Sequence, residues 1–145
     1  MTIIQRSALV PHTQRQMFEL VNGIADYPRF LPWCSKSQII SQSEKVVEAS
    51  LDIAWKGIHK SFTTRNILHE YGRIDIILVT GPFRNLTGHW SFLPLSGQAC
   101  KVGLNLEVEF RGGVVDMLFQ PIFNHIANSL VDAFCKRATE IYGQS

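Results

Sequence analysis

The chain has 145 residues, 46% of them apolar and 18% charged, with a formal net charge of +2. That length suits one domain, and a charged content below the ~25% of typical soluble domains leaves room for a sizeable core, or for a core plus an apolar cavity. The small net charge and the lack of any run of basic residues speak against nucleic-acid binding by electrostatics alone, so no DNA partner is expected.

Residues 3–10 read as a first strand, stopped by Pro11. Thr13, with Gln16 three residues on, forms a capping box, in which each side chain satisfies a free backbone N–H at the other's position. The helix that follows places Met17, Phe18, Leu20 and Val21 largely on one side, and Gly23 is expected to end it in the left-handed conformation. In IADYPRFLPWC, Pro28 and Pro32 impose a short helical turn and then a bend. From about Ser35 the period becomes two. Val47, Ala49, Leu51, Ile53 and Trp55 alternate with Glu48, Ser50 and Asp52; Ile58, Phe62 and Leu68 share one parity; Ile74, Ile76 and Leu78 follow, then Leu86, Trp90 and Phe92. The cleanest run sets Val102, Leu104, Leu106, Val108 and Phe110 against Gly103, Asn105, Glu107 and Glu109. Such alternation marks antiparallel strands with one wet and one covered face. Turn residues separate the runs: Lys56-Gly57, Tyr71-Gly72, Gly81-Pro82, Ser96-Gly97 and Gly112-Gly113. No helix-length segment interrupts them, which excludes parallel crossover units.

Residues 114–142 then form one apolar-striped segment that, as a helix, would reach roughly 40 Å. Pro121 predicts a kink or a restart near Phe119–Gln120. Before it, Val114, Val115, Met117, Leu118 and Phe119 lie nearly all round; after it the stripe narrows to Ile122, Phe123, Ile126, Leu130, Phe134 and Ile141. The fold class is therefore α+β. A curved antiparallel sheet of about seven strands surrounds a long C-terminal helix, with two short helices after the first strand, in a single domain 1–145.

The residues that carry chemistry are scattered. Cys34, Cys100 and Cys135 are far apart and lack CxxC spacing, so reduced thiols are expected and no metal site. The five histidines form no metal-binding pattern. Glu107 and Glu109 share a strand face with Gly103 and Asn105, which reads as a solvated outer face. His125 lies in the apolar helix, but no Ser, Cys or Asp stands at a spacing that makes a triad recognisable. No catalytic residue is assigned. The N-terminus lacks the apolar stretch of a secretory signal, and no run of ~18 apolar residues exists to span a membrane. The expected address is the cytoplasm, with a peripheral contact at the inner membrane.

The aromatics point elsewhere. Phe62, Trp90, Phe92 and Phe110 all have the inward parity of their strands. They are either ordinary core or, with Leu118, Ile122, Phe123 and Ile126 of the helix, the lining of a cavity for an apolar ligand. Two turn segments also hold apolar residues: Phe30, Leu31 and Trp33 in the first, Phe83 and Leu86 in the second. These either fold back as plugs or form the cavity's mouth and a membrane contact; the expectation carried forward is the mouth.

At these segments the chain resembles a known family. The stretches MFELVNGIADYPRFLPWC (17–34), KSFTTRN (60–66), GPFRNLTGHWSFLPL (81–95) and ACKVGLNLEVEF through AFCKRATEIYG (99–143) are similar to the START-like, helix-grip superfamily of polyketide cyclases/dehydrases and lipid-transport proteins. Within it they resemble the subfamily of coenzyme Q-binding proteins and bacterial ribosome association toxins. The opening QRSALVPHT looks most like the bacterial branch. The resemblance implies a helix-grip fold and a tunnel suited to a polyprenyl quinone such as ubiquinone. For the bacterial branch it implies binding to the large ribosomal subunit that blocks subunit association. It brings no metal, no other cofactor and no catalytic residues. The leading expectation is non-enzymatic binding of an isoprenoid quinone or similar lipid in support of respiration. The alternative is a ribosome-binding, toxin-type regulator of translation, which should show a basic patch drawn from Lys56, Lys60, Arg84 or Arg111. A cyclase-like enzyme ranks third.

Overall fold

The architecture follows from a meander. In a computed structural model, which describes residues 1–143 apart from the side chain of Val115, strands β2 (Cys34–Gln42), β3 (Val46–Trp55), β4 (Ile58–His69), β5 (Arg73–Thr80), β6 (Asn85–Pro94) and β7 (Cys100–Glu109) each pair antiparallel with the next. Strand β1 (Thr2–Val10) joins the far side of β7, so the seven-stranded order is β1-β7-β6-β5-β4-β3-β2. The β3–β4 hairpin shows why the turns fall where the sequence placed them. Lys56 and Gly57 have φ of 49° and 82°, the positive pair that a tight two-residue hairpin needs to match the strands' twist.

The inner face is the one the alternation marks. Val47, Ala49, Ile53, Phe62, Ile74, Leu86, Trp90, Val102, Leu104 and Val108 are all buried, and they form one core with the helices. Gly88 belongs to this inward set. A Cβ there would lie 2.0 Å from the Asn105 carbonyl oxygen, so only glycine lets β6 and β7 close up at this point. A register shift between Thr63 and Thr64 adds a further irregularity on β4.

Helix α1 (Gln14–Asn22) begins with the predicted capping box: Gln16 N–H donates to Thr13 Oγ1 at 3.1 Å, and Thr13 N–H to Gln16 Oε1 at 2.9 Å. Its buried residues are the four expected. Gly23 differs from expectation. Its φ is −78°, because the chain runs directly into a 3₁₀ turn (Ile24–Arg29) and no left-handed residue is needed to redirect it. The Tyr27 hydroxyl of that turn donates to the Val21 carbonyl and ties it to α1.

Helix α2 (Val114–Tyr142) runs unbroken through Pro121, so the predicted restart does not occur. The carbonyl that Pro121 leaves without its helical donor belongs to Met117. Both residues are exposed, and water can take the missing donor's place. The buried stripe is Phe119, Phe123, Ile126, Ala127, Val131, Phe134 and Ala138, rotated from the predicted one. Ile122 and Leu130 flank it, and Ile141 is exposed. Val114, Met117 and Leu118 point to solvent. The helix packs chiefly on β1, β7 and α1. Arg6 Nε donates to Asn128 Oδ1 at 3.0 Å, and the Tyr142 hydroxyl to the Gln16 carbonyl at 3.1 Å. Among the described residues no helix is long and apolar enough to cross a membrane.

Candidate functional site

Because α2 leans towards β1 and β7, the inner face of β3–β5 is left with less cover. A cavity of about 90 Å³ remains there. Ala49, Leu51 and Ile53 of β3, Phe62 of β4, and Phe123, Ile126 and Leu130 of α2 line it. Its end wall is aromatic: Tyr27 and Phe134 meet at 5.3 Å between ring centroids, and Trp90 meets Phe134 edge-on at 5.3 Å. Leu51, Thr64, Asn66, Ile76 and Leu130 are only half-buried, so the cavity reaches solvent sideways, between the middle of α2 and strands β3–β5.

Two polar side chains enter this apolar space. Thr64 Oγ1 donates to Asn66 Oδ1 at 3.0 Å, and the Asn66 amide nitrogen makes no hydrogen bond to the described residues. Both share the inward parity of Phe62 and Leu68, so the alternation on β4 contained them; attention to apolar residues alone passes over them. The lining holds no carboxylate, imidazole or thiol. Its one titratable group is the Tyr27 phenol, which burial drives far above its ordinary value.

Of the residues expected to line a cavity, Phe62, Trp90, Phe123 and Ile126 come together here. The others do not. Phe92 is buried against Phe18, with ring centroids 5.7 Å apart. Phe110 packs on Phe83, Phe119 and Phe123 outside the cavity. Ile122 is half-buried beside it, and Leu118 is 60% exposed on the opposite side of α2.

The expected mouth is also corrected. Leu31 and Phe83 are 1% exposed, Leu86 2% and Trp33 7%, and Phe30 is half-buried. These segments are plugs. Phe83 sits among Phe62, Phe110, Phe119 and Phe123, the closest centroid 4.9 Å away. Arg111 holds the loop in by donating from Nη2 to the Gly81 carbonyl at 3.1 Å and from Nε to the Phe83 carbonyl at 3.3 Å. Gly81 has no room for a side chain, since a Cβ would stand 2.6 Å from Phe62 Cβ.

The candidate catalytic groups stay apart. His125 and Glu107 are exposed, Glu109 pairs with Arg84 at 3.7 Å, and no cluster of potential metal ligands occurs among the described residues. Burial pushes the Cys34 and Cys100 thiols up to about 11. Of the cations expected to form a patch, Arg111 donates into the fold, Arg84 stands 3.7 Å from Glu109, and Lys56 and Lys60 make no ion pair among the described residues.

A curved sheet holding a terminal helix over an apolar space defines a START-like, helix-grip protein. The solved aromatase/cyclase ZhuI from Streptomyces sp. R1128 has the same fold, with a TM-score of 0.86 over 99% of both chains at 13% identity. The Caulobacter crescentus protein CC1736 shares 28% identity, with a TM-score of 0.75 over 99% of both chains. The chain belongs to the polyketide cyclase / dehydrase and lipid transport family, whose sequence profile matches residues 10–135. Curated relatives named ribosome association toxin RatA are 45% identical in Pseudomonas aeruginosa, covering 98% of this chain and 99% of the relative, and 47% identical in Vibrio cholerae, covering 97% and 98%. A mitochondrial coenzyme Q-binding protein, COQ10 homolog B of Xenopus laevis, is more distant: 26% identical over 89% of this chain and 54% of that protein. These relatives reverse the order of the two expectations, placing the ribosome reading ahead of the quinone reading.

Proposed function

We propose that this chain acts by binding rather than catalysis, and that its main partner is the ribosome: it docks on the large subunit and blocks subunit association. The observation that carries this reading is the 45–47% identity, over nearly the whole chain, to proteins named ribosome association toxin. The cavity lining supports binding over catalysis, because acid–base chemistry needs titratable groups converging on a reacting atom and the lining offers only a buried phenol. The likeness to an aromatase/cyclase, at 13% identity, speaks for fold alone. In sucrose gradients of mixed ribosomal subunits, the purified chain is expected to travel with the large subunit and to shrink the assembled-ribosome peak. A chain that stays at the top while that peak is unchanged overturns the reading.

A second reading has its own observation. The apolar cavity with one polar corner, Thr64 and Asn66, fits the carbonyl end of a lipophilic molecule such as a polyprenyl quinone, in line with the family's lipid-transport members and the coenzyme Q-binding relative. Its volume of about 90 Å³ is smaller than the roughly 150 Å³ of a cavity that takes benzene, so a ring with a tail enters only if the space between α2 and β3–β5 widens. Native mass spectrometry of the chain mixed with ubiquinone should show a one-to-one complex that Asn66→Leu weakens. No complex at any ratio rejects this second reading and leaves the first untouched.

A further inference from the structure

Behind the cavity's aromatic end wall lies a second concavity of a different kind. Phe30 packs edge-on against Tyr27 and Phe134, with centroids 6.1 and 5.4 Å away, and it also lines a groove of about 310 Å³. The groove runs between the segment Arg29, Phe30 and Pro32 and the last third of α2, where Ala133, Lys136, Arg137 and Glu140 face it. Three cations and one carboxylate line it, in a molecule whose net charge is only +2.

The cations are poorly engaged by the protein itself. Arg29 lies 3.6 Å from Asp26 and Arg137 lies 3.7 Å from Glu140, both longer than the ~2.7–2.9 Å of a charge-assisted hydrogen bond. Among the described residues Lys136 makes no ion pair, and none of the three side chains donates a hydrogen bond. By contrast Arg6, Arg15, Arg73 and Arg111 each donate to an acceptor within the fold. Arg137 is also held in place. Its Cζ lies 5.1 Å over the Phe30 ring, its side chain is 24% exposed, and its Nε is shielded from solvent without an acceptor. A shielded N–H with no acceptor is costly. Stacking on Phe30 fixes the plane of the guanidinium, whose fork of N–H donors matches the oxygens of a phosphate.

We infer that this groove is a phosphate-binding site for ribosomal RNA, with Arg137 forking one phosphodiester and Arg29 and Lys136 flanking it. The inference rests on the ribosome reading above and names the surface that would serve it. A single carboxylate of a protein partner needs one cation. A nucleic-acid backbone offers a charge at every nucleotide, which suits three cations along one groove, and Phe30 and Pro32 give its sugars an apolar floor.

The test measures binding of the intact chain and its variants to purified large ribosomal subunits over a series of KCl concentrations. Arg29→Gln/Lys136→Gln removes two exposed cations and keeps the packing on Phe30. It should weaken binding roughly ten- to hundredfold at ~0.1 M salt and lower the log–log salt slope by about two. Arg137→Lys keeps the charge and loses the fork, and should weaken binding with little change in slope. Glu140→Gln removes the groove's one carboxylate and should tighten binding, a gain that mere structural damage does not produce. Lys45→Gln, in the turn at the far end of β2 from the groove, should change nothing. If the intact chain binds subunits and the double variant at Arg29 and Lys136 binds with equal affinity and slope, the groove is not the site, although the ribosome reading stands. If the intact chain binds no subunits, both fall. If the double variant loses binding to phosphatidylglycerol vesicles while keeping ribosome binding, the groove serves a lipid headgroup and the RNA assignment is overturned.

Discussion

Phe83 occupies a loop, yet it is 1% exposed and touches four other phenylalanine rings. Removing a buried aromatic ring of this kind typically costs about 3–5 kcal/mol. Phe83→Ala should therefore lower the urea midpoint by an amount near the top of the range for single substitutions; a shift no larger than that of a surface residue would mean the loop is not a plug. Its inward turn was beyond local reading, because the group that pins the loop carbonyls is Arg111, on the far side of β6 and β7. Thr64 and Asn66 were legible from parity alone. The cysteines give a second check at this scale. With the Cys34 and Cys100 thiols pushed up to about 11, only a trace is thiolate at pH 8, and the thiolate is the reactive form. Native protein should react slowly at these two sites with a disulfide reagent, and all three cysteines should react at once after unfolding. Rapid native reaction at Cys100, which is 0% exposed, would show that β7's start opens readily.

Helix α2 and the sheet it covers differ in how well they could be read. Strand alternation is plain where one face is wet, and β3 and β7 follow it except at Leu51 and Trp55, which are half-buried, and at Gly103, which is buried on the outer parity. The phase of α2 was less certain, because its first turns are apolar on every side and only packing selects Phe119 and Phe123 over Leu118 and Ile122. The same packing argument sets an expectation for the helix–sheet interface. Ile126 is 3% exposed between α2 and the sheet, so Ile126→Ala should cost about 2–5 kcal/mol. Glu109 makes only an exposed pair with Arg84, of a type worth about 0.2–1 kcal/mol at most, so Glu109→Ala should barely move the thermal midpoint. Equal shifts for the two would mean that the faces are assigned wrongly.

At the scale of the whole molecule, two concavities share one wall. The apolar cavity and the basic groove lie on either side of Tyr27, Phe30 and Phe134, so the lipid-like and ribosome-like readings occupy separate surfaces of a single fold. The cavity was foreseeable from inward aromatics. The groove was not, because Arg29 and Lys136 are remote in sequence and converge only when α2 crosses the 3₁₀ turn.

The strand order also dictates a sequence of events in time. Every neighbouring pair from β2 to β7 is joined by a short connection, and each can zip from its own turn. Strand β1 alone must wait for a partner roughly a hundred residues away, and closing so long a loop carries an entropic cost that the local hairpins avoid. The first strand to leave the ribosome's exit should thus be the last to settle. Ile4, buried opposite Leu106, reports on that step. In stopped-flow experiments Ile4→Ala should accelerate unfolding while leaving the refolding rate nearly unchanged, the mark of contacts made after the rate-limiting barrier. Refolding slowed in proportion to the stability lost would instead place the β1–β7 seam in the folding nucleus.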